Sequence, residues 1–147
     1  MKTLFMETTK IPVGQTVAEI QRLLGECGCC GVLTQYEKGE VIAVSFQIMF
    51  LDKTIPFRLP CRWQPIYNSL MSRKRKKRAN TAMNIEEQAK RVAWRQILRW
   101  VEAQLALVDT EMVKVQEVFL PYVQTGLNET LYQKLESKGF TALEYKS

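Results

Sequence analysis

Histidine is absent from this chain of 147 residues. Its absence removes the commonest general base and every Ser-His or Cys-His nucleophile pair. Aspartate is almost as scarce: Asp52 and Asp109 are the whole supply, whereas a metal-dependent nuclease gathers several carboxylates around Mg²⁺. Two Glu-x-Lys patterns, Glu136-Ser137-Lys138 and Glu144-Tyr145-Lys146, follow no strand with an upstream aspartate. The sequence has neither a P-loop nor a GxGxxG fingerprint. No apolar run approaches the roughly 18–20 residues of a membrane span. Residues 1–7 carry one basic residue and too few apolar ones for a secretion signal. These absences lead to the expectation of a cytoplasmic protein, not an enzyme, with no cofactor and no membrane contact.

Cysteine is present but incompletely patterned. Cys27, Cys29 and Cys30 cluster, and Cys61 stands alone. Without a secretion signal a disulfide framework is not expected. Zinc ligands come in pairs two to four residues apart, with a second pair elsewhere. A zinc site here would need all four thiolates, the adjacent Cys29 and Cys30 included. The plainer expectation is no metal, with small apolar thiols packing where a helix meets a strand.

What the chain does have is charge of one sign in one place. Lys and Arg total 21 against 15 acidic residues, and six of the 21 stand together as Arg73-Lys74-Arg75-Lys76-Lys77-Arg78. The remaining 15 cations match the 15 anions, so the formal charge of +6 equals the content of this block. So concentrated a charge calls for water or an anionic partner to screen it. Elsewhere a hydrophobic content of 46% argues for a folded protein, and the length suits a single α+β domain over 1–147.

The apolar periods set out the elements. Val17, Ile20, Leu23 and Leu24 recur at helical spacing over 16–24, Thr16 and Glu19 have the spacing of a capping box, and Gly25 or Gly28 ends the helix. The period then becomes two. Residues 31–36 read as a strand, 37–40 as a turn with Gly39 at positive φ, and 41–50 as the clearest strand. Ile42, Val44, Phe46, Ile48 and Phe50 alternate towards a core. Val41, Ala43, Ser45, Gln47 and Met49 make a milder face. After a turn at 51–54, residues 54–59 form a third strand whose Pro56 suits a sheet edge. A helix begins at Gln64 or Pro65 and runs towards the basic block, so 72–82 is either a basic loop or a helix extension.

The longest helix is expected over 84–109. Trp94, Ile97, Leu98, Val101, Leu105 and Val108 form its apolar stripe, which Trp100, Ala103 and Leu107 widen. The stripe reads as intramolecular core, with a homodimer seam as the alternative. A helix over 112–123 broken by Pro121 and a last one capped by Asn128 complete the order α-β-β-β-α-α-α. The architecture is a three-stranded antiparallel β-meander with helices packed on one face.

A phosphate backbone rewards clustered Lys and Arg without demanding a sequence. Arg73, Lys74, Arg75, Lys76, Lys77 and Arg78 are therefore the first candidates for nucleic-acid binding. Arg62 and Trp63 precede them, and Trp63 and Tyr67 could stack on unpaired bases. Arg91, Arg95 and Arg99 follow at i, i+4 and i+8, the spacing of one basic helix ridge. A solvated loop and an acidic protein partner are the competing readings of the block. The milder sheet face around Ser45 and Gln47 is either an open platform for a single strand or an ordinary wet face.

Several segments together, KRVAWRQILRWVEAQLAL at 90–107, EVFLPY at 117–122, the helix at 16–24 and PFRLP at 56–60, resemble a group of small proteins of phages, prophages and mobile elements. The resemblance implies a setting of phage DNA replication, recombination or counter-defence, and carries over no activity and no site residue. Neither a helix-turn-helix nor a zinc finger is evident, so single-stranded DNA or RNA is expected rather than a specific duplex. The expected role is an accessory one in recombination or a ribonucleoprotein. The alternative is a protein-binding inhibitor or accessory subunit acting on a host defence or nucleoprotein complex.

Overall fold

The computed structural model describes residues 3–73 and 79–145 and, within 79–83, the backbone alone. It is an α+β fold in which strands β1 (Gly31–Glu37), β2 (Glu40–Phe50) and β3 (Lys53–Pro60) form an antiparallel meander in the order β1-β2-β3. Helix α1 (Val13–Glu26) precedes the meander. Helices α2 (Gln64–Ser72), α3 (Ala79–Asp109) and the single turn α4 (Val115–Val118) follow it, then a small hairpin of β4 (Gln124–Gly126) and β5 (Glu129–Thr130), then α5 (Leu131–Ser137). The chain divides into two compact units, one of Met1–Leu23 with Cys61–Leu105 and one of Leu24–Pro60 with Ala106–Ser147.

The first unit is helical. Its buried side chains come from two stripes, Val17 and Ile20 on α1 and Ile85, Ala89, Val92, Trp94, Leu98, Val101 and Leu105 on α3. The steps of three and four residues from Trp94 to Leu105 keep that stripe on one side of a 3.6-residue helix. Ile97 is only half-buried and Leu107 is exposed, so the buried face is narrower than the sequence suggests. With Trp94 and Leu98 each 1% exposed within a single chain, the stripe is core. Helix α3 begins five residues earlier than the periodicity predicts, at Ala79 rather than Asn84.

The start of α1 also corrects the expectation. Thr16 is not its cap: the helix begins at Val13, after Pro12, and Thr16 lies inside it with its hydroxyl donating to the Pro12 carbonyl at 3.4 Å. Proline suits the position just outside a first turn, because it has no N–H to leave unpaired. Of the two glycines, Gly28 is the one that ends the helix, at φ +95. Its N–H bonds to Gly25 O at 3.3 Å and the Cys29 N–H to Leu24 O at 3.4 Å, the paired bonds of a Schellman motif.

The second unit holds the sheet. Val44 and Phe46 on β2 and Phe57 and Leu59 on β3 are buried on one face, as the alternation predicts. Phe46 and Phe57 stack at 5.0 Å, and Phe119 meets Phe46 edge-on at 5.3 Å. Such aromatic pairs add about 0.5–1.5 kcal/mol beyond their buried area. Phe50, at the far end of β2, is 43% exposed, so the apolar face stops short of it. Among the described residues β3 pairs along its ladder only with β2 and meets Val123 through one bridge at Phe57, so Pro56 stands on an edge strand.

The hairpin β4–β5 was not anticipated. Asn128 does not cap the last helix; it sits at φ 58 in the hairpin turn. Thr130 is the cap, its hydroxyl accepting the Gln133 N–H while the Gln133 side chain accepts the Thr130 N–H. The predicted helix over 112–123 is likewise reduced to the one turn of α4 and a 3-10 turn at Leu120–Tyr122, since Pro121 cannot continue an α-helix.

Both meander turns have positive φ at their two central residues, Lys38 and Gly39 in the first and Leu51 and Asp52 in the second. A branched apolar residue pays about 1–2 kcal/mol for that conformation, and Leu51 is 80% exposed with little burial in return. Replacing Leu51-Asp52 by Asn-Gly should raise stability by about 1 kcal/mol. The check is a higher urea midpoint with unchanged slope; a lower midpoint would mean that Leu51 makes a stabilising contact.

Candidate nucleic-acid interface

The basic block begins at the end of α2. Arg73 is the C-cap residue, its N–H bonding to Leu70 O and Met71 O, and its guanidinium is ion-paired with Glu7. Lys74, Lys76, Lys77, Arg75 and Arg78 lie outside the described residues, as does the question whether 72–82 is a loop or a helix extension over that stretch. An open cleft of about 590 Å³ is lined by Arg73, Glu7, Leu70, Asn84, Gln88 and Arg91. Two guanidinium groups and one carboxylate therefore share its wall.

Gln88 organises this cleft. Its amide nitrogen donates to the carbonyls of Glu7 and Thr9, both at 2.8 Å, and so holds the N-terminal segment against α3. Its amide oxygen accepts Arg91 Nε at 3.0 Å and Nη2 at 2.6 Å. A guanidinium presents five donors in a fixed fork, so this one acceptor leaves part of Arg91 for an anion in the cleft. Farther along α3, Gln96 Nε2 donates to Phe5 O at 2.8 Å. None of these Gln–backbone bonds is visible as a sequence pattern, because each spans more than 75 residues.

The three arginines of the expected ridge have three different fates. Arg91 is half-buried in the cleft. Arg99 is exposed and pairs with Glu102 at 2.6 Å one turn on, a surface pair of little energetic weight. Arg95 is 4% exposed and is not available to a nucleic acid. Its Nη1 donates to Glu19 Oε1 at 3.3 Å, Glu19 Oε2 at 3.4 Å and Thr16 Oγ1 at 3.4 Å, while Nε has no hydrogen-bond partner among the described residues. The i, i+4, i+8 spacing is real, but it points Arg95 at α1. The Thr16–Glu19 pair that resembles a capping box is in fact the acceptor set for this buried cation.

Arg62 is exposed and Trp63 half-buried. Trp63 is already engaged: Tyr67 meets its ring edge-on at 6.0 Å, and Lys90 Nζ lies 4.8 Å from the ring centroid. Lys90 also pairs with Glu86 at 3.3 Å. Neighbouring Cys61 is pushed up to about 12 by burial, with Lys90 pulling the other way, so it is a neutral thiol at ordinary pH.

The milder sheet face is neither bare nor simply wet. Arg58 Nε donates to Gln35 Oε1 at 3.1 Å, and Gln35 Nε2 donates to Asn128 Oδ1 at 3.0 Å. The β4–β5 turn thus reaches over β1, and Ser45, Gln47, Leu127 and Asn128 line a second open cleft of about 540 Å³. Among the described residues, no group of three or more Cys, Asp or Glu is arranged to hold a metal ion. Nor is any helix there long and apolar enough to cross a membrane. Compared with models of protein families, with curated proteins and with solved structures, the chain matches none.

A buried cation stripped of its partner is costly, whereas removing both partners together often is not. Glu19→Ala should cost about 2–4 kcal/mol in chemical denaturation. Arg95→Met combined with Glu19→Gln should cost distinctly less than Glu19→Ala alone. If the double variant were the less stable of the two, the pair would be a net source of stability rather than a requirement imposed by burying Arg95.

Proposed function

We propose that the chain is a non-enzymatic nucleic-acid-binding protein of a phage or mobile element. It grips the phosphate backbone of single-stranded DNA or RNA through the basic block, in an accessory role in recombination or a ribonucleoprotein. One observation carries the reading. The formal charge of +6 equals the content of the block, while Arg73, Lys90, Arg95 and Arg99 each have a carboxylate of their own. By sequence the other five cations of the block are residues 74–78, which follow directly on Arg73, and Arg73 and Arg91 share the wall of one cleft. Exposed Arg62 adds a further cation. Arg95 is excluded by burial, and Trp63, held between Tyr67 and Lys90, contributes at most one free face to a base.

A second reading has an observation of its own. β1 is an edge strand whose Leu33 and Tyr36 are 67% and 63% exposed. An edge with exposed apolar side chains suits strand addition by another protein. An inhibitor or accessory subunit would use it, with the block assisting at an acidic surface.

Fluorescence anisotropy with labelled single-stranded DNA, RNA and duplex DNA at several salt concentrations separates the two. If the five block cations beyond Arg73 each neutralise a phosphate of a single strand, the log–log salt slope is about −3.5. Changing those five to Gln should leave at most the share of Arg62 and Arg91, a slope of about −1.4, and abolish binding at physiological salt. Tight binding with an unchanged slope in that variant would place the grip elsewhere. No binding by the intact protein at low salt would leave the edge-strand reading in its place.

A further inference from the structure

We propose that Cys27 and Cys29 form a reversible dithiol–disulfide pair that exchanges with small-molecule disulfides of the glutathione type. These residues stand apart from the basic block, and the way α1 ends brings them together. In the Schellman motif described above, Cys27 is the C-cap, Gly28 the left-handed residue and Cys29 the residue after it. That fold-back reverses the chain over a single glycine and sets the two sulfurs 3.5 Å apart. A disulfide needs about 2.05 Å between sulfurs, so roughly 1.5 Å must close, a movement within reach of side-chain rotation. Any side chain at position 28 would resist this backbone, whose φ is +95.

Cys30 does not compete for the pairing. Its thiol donates to the Gln47 carbonyl at 3.4 Å and its N–H to the same oxygen at 2.9 Å, which turns it towards β2. The two sulfurs of the pair are also chemically unequal. Cys27 is lowered to about 7, first by the hydrogen bond from the Cys29 thiol and then by backbone N–H groups, against the opposing effects of burial and Asp109. Cys29 is pushed up, first by its hydrogen bond with Cys27 and then by burial. A hydrogen bond from the Cys29 thiol favours Cys27 as the attacking sulfur, and while protonated Cys27 Sγ donates to Leu24 O at 3.1 Å. Both residues are partly exposed, so a small disulfide can reach them.

The exchange balances in two steps. The Cys27 thiolate attacks one sulfur of R′S–SR′; the S–S bond breaks, R′S⁻ leaves and takes up a proton, and Cys27 carries –SR′. The Cys29 thiol then loses its proton and attacks Cys27 Sγ, forming the Cys27–Cys29 bond and expelling the second R′S⁻, which is protonated. The protein loses two electrons and two protons, and R′S–SR′ becomes two R′SH. A ring closed over one intervening residue is strained, which makes such a bond easily reduced and suits a switch rather than a staple.

The test is incubation of the full chain with oxidised glutathione at neutral pH, followed by alkylation and fragmentation mass spectrometry. The expected product has lost two hydrogens and carries a Cys27–Cys29 cross-link that dithiothreitol removes. Lower thiol basicity raises the thiolate fraction but reduces its nucleophilicity, so the folded chain should react about five- to tenfold faster than the urea-unfolded chain. Cys30→Ser should behave as the parent does, and Cys29→Ser should stop with one glutathione retained on Cys27. Cross-linking through Cys30, a rate equal to that of the unfolded chain, or closure unaffected by Cys29→Ser would each overturn the proposal. The cross-link position in the parent protein decides the matter even if a variant folds poorly.

Discussion

The arrangement of the helical unit depends on one constraint, that a guanidinium cannot be left alone in an apolar interior. Arg95 stands between Trp94 and Leu98 on the buried side of α3, and its desolvation is tolerable only with anionic and hydroxyl acceptors at hand. Thr16 and Glu19 supply them, three residues apart on one face of α1. Their positions fix both the rotation of α1 about its axis and its register along α3. The same logic recurs at lower stakes around the unit: Arg73 takes Glu7, Lys90 takes Glu86 and Arg99 takes Glu102. Arg73, where the basic block begins, is thus held within the fold as Lys90, Arg95 and Arg99 are.

In the sheet-bearing unit the constraint is different. The apolar face is closed by three phenylalanines, with Phe119 delivered by the short turn before Pro121. The opposite face keeps a polar relay from Arg58 through Gln35 to Asn128, and Arg58 is only 7% exposed there. A buried arginine thus appears in each unit. In both, its acceptor comes from a segment far away in sequence.

How much of this was legible in the sequence depends on how local each cause is. The meander was legible because period-two alternation in β2 and Gly39 in the first turn are local signals. Pro56 marked its edge for the same reason. The left-handed Leu51 was not, since a leucine gives no signal of positive φ, whereas Asp52 beside it is a residue type that tolerates it. The last helix has a local signal, the capping box of Thr130 with Gln133, which competes in the sequence with Asn128 two residues earlier. Arg95 was read with Arg91 and Arg99 because spacing along a helix shows which residues share a side, not whether that side is covered. Its burial is set by α1, and its separation of 76 residues from Glu19 lies beyond any periodic pattern. The cleft built by Gln88 was invisible for the same reason.

The central claim is that the excess charge in the block, rather than any cation belonging to the fold, makes the contact with nucleic acid. Lysine footprinting addresses it directly: acetylate the protein with and without a saturating single-stranded oligonucleotide, and quantify each lysine by mass spectrometry. The account predicts strong protection of Lys74, Lys76 and Lys77, with Lys38, Lys53, Lys134 and Lys138 unchanged. Protection centred on Lys38 and Lys53 at the meander turns, with the block still reactive, would contradict it.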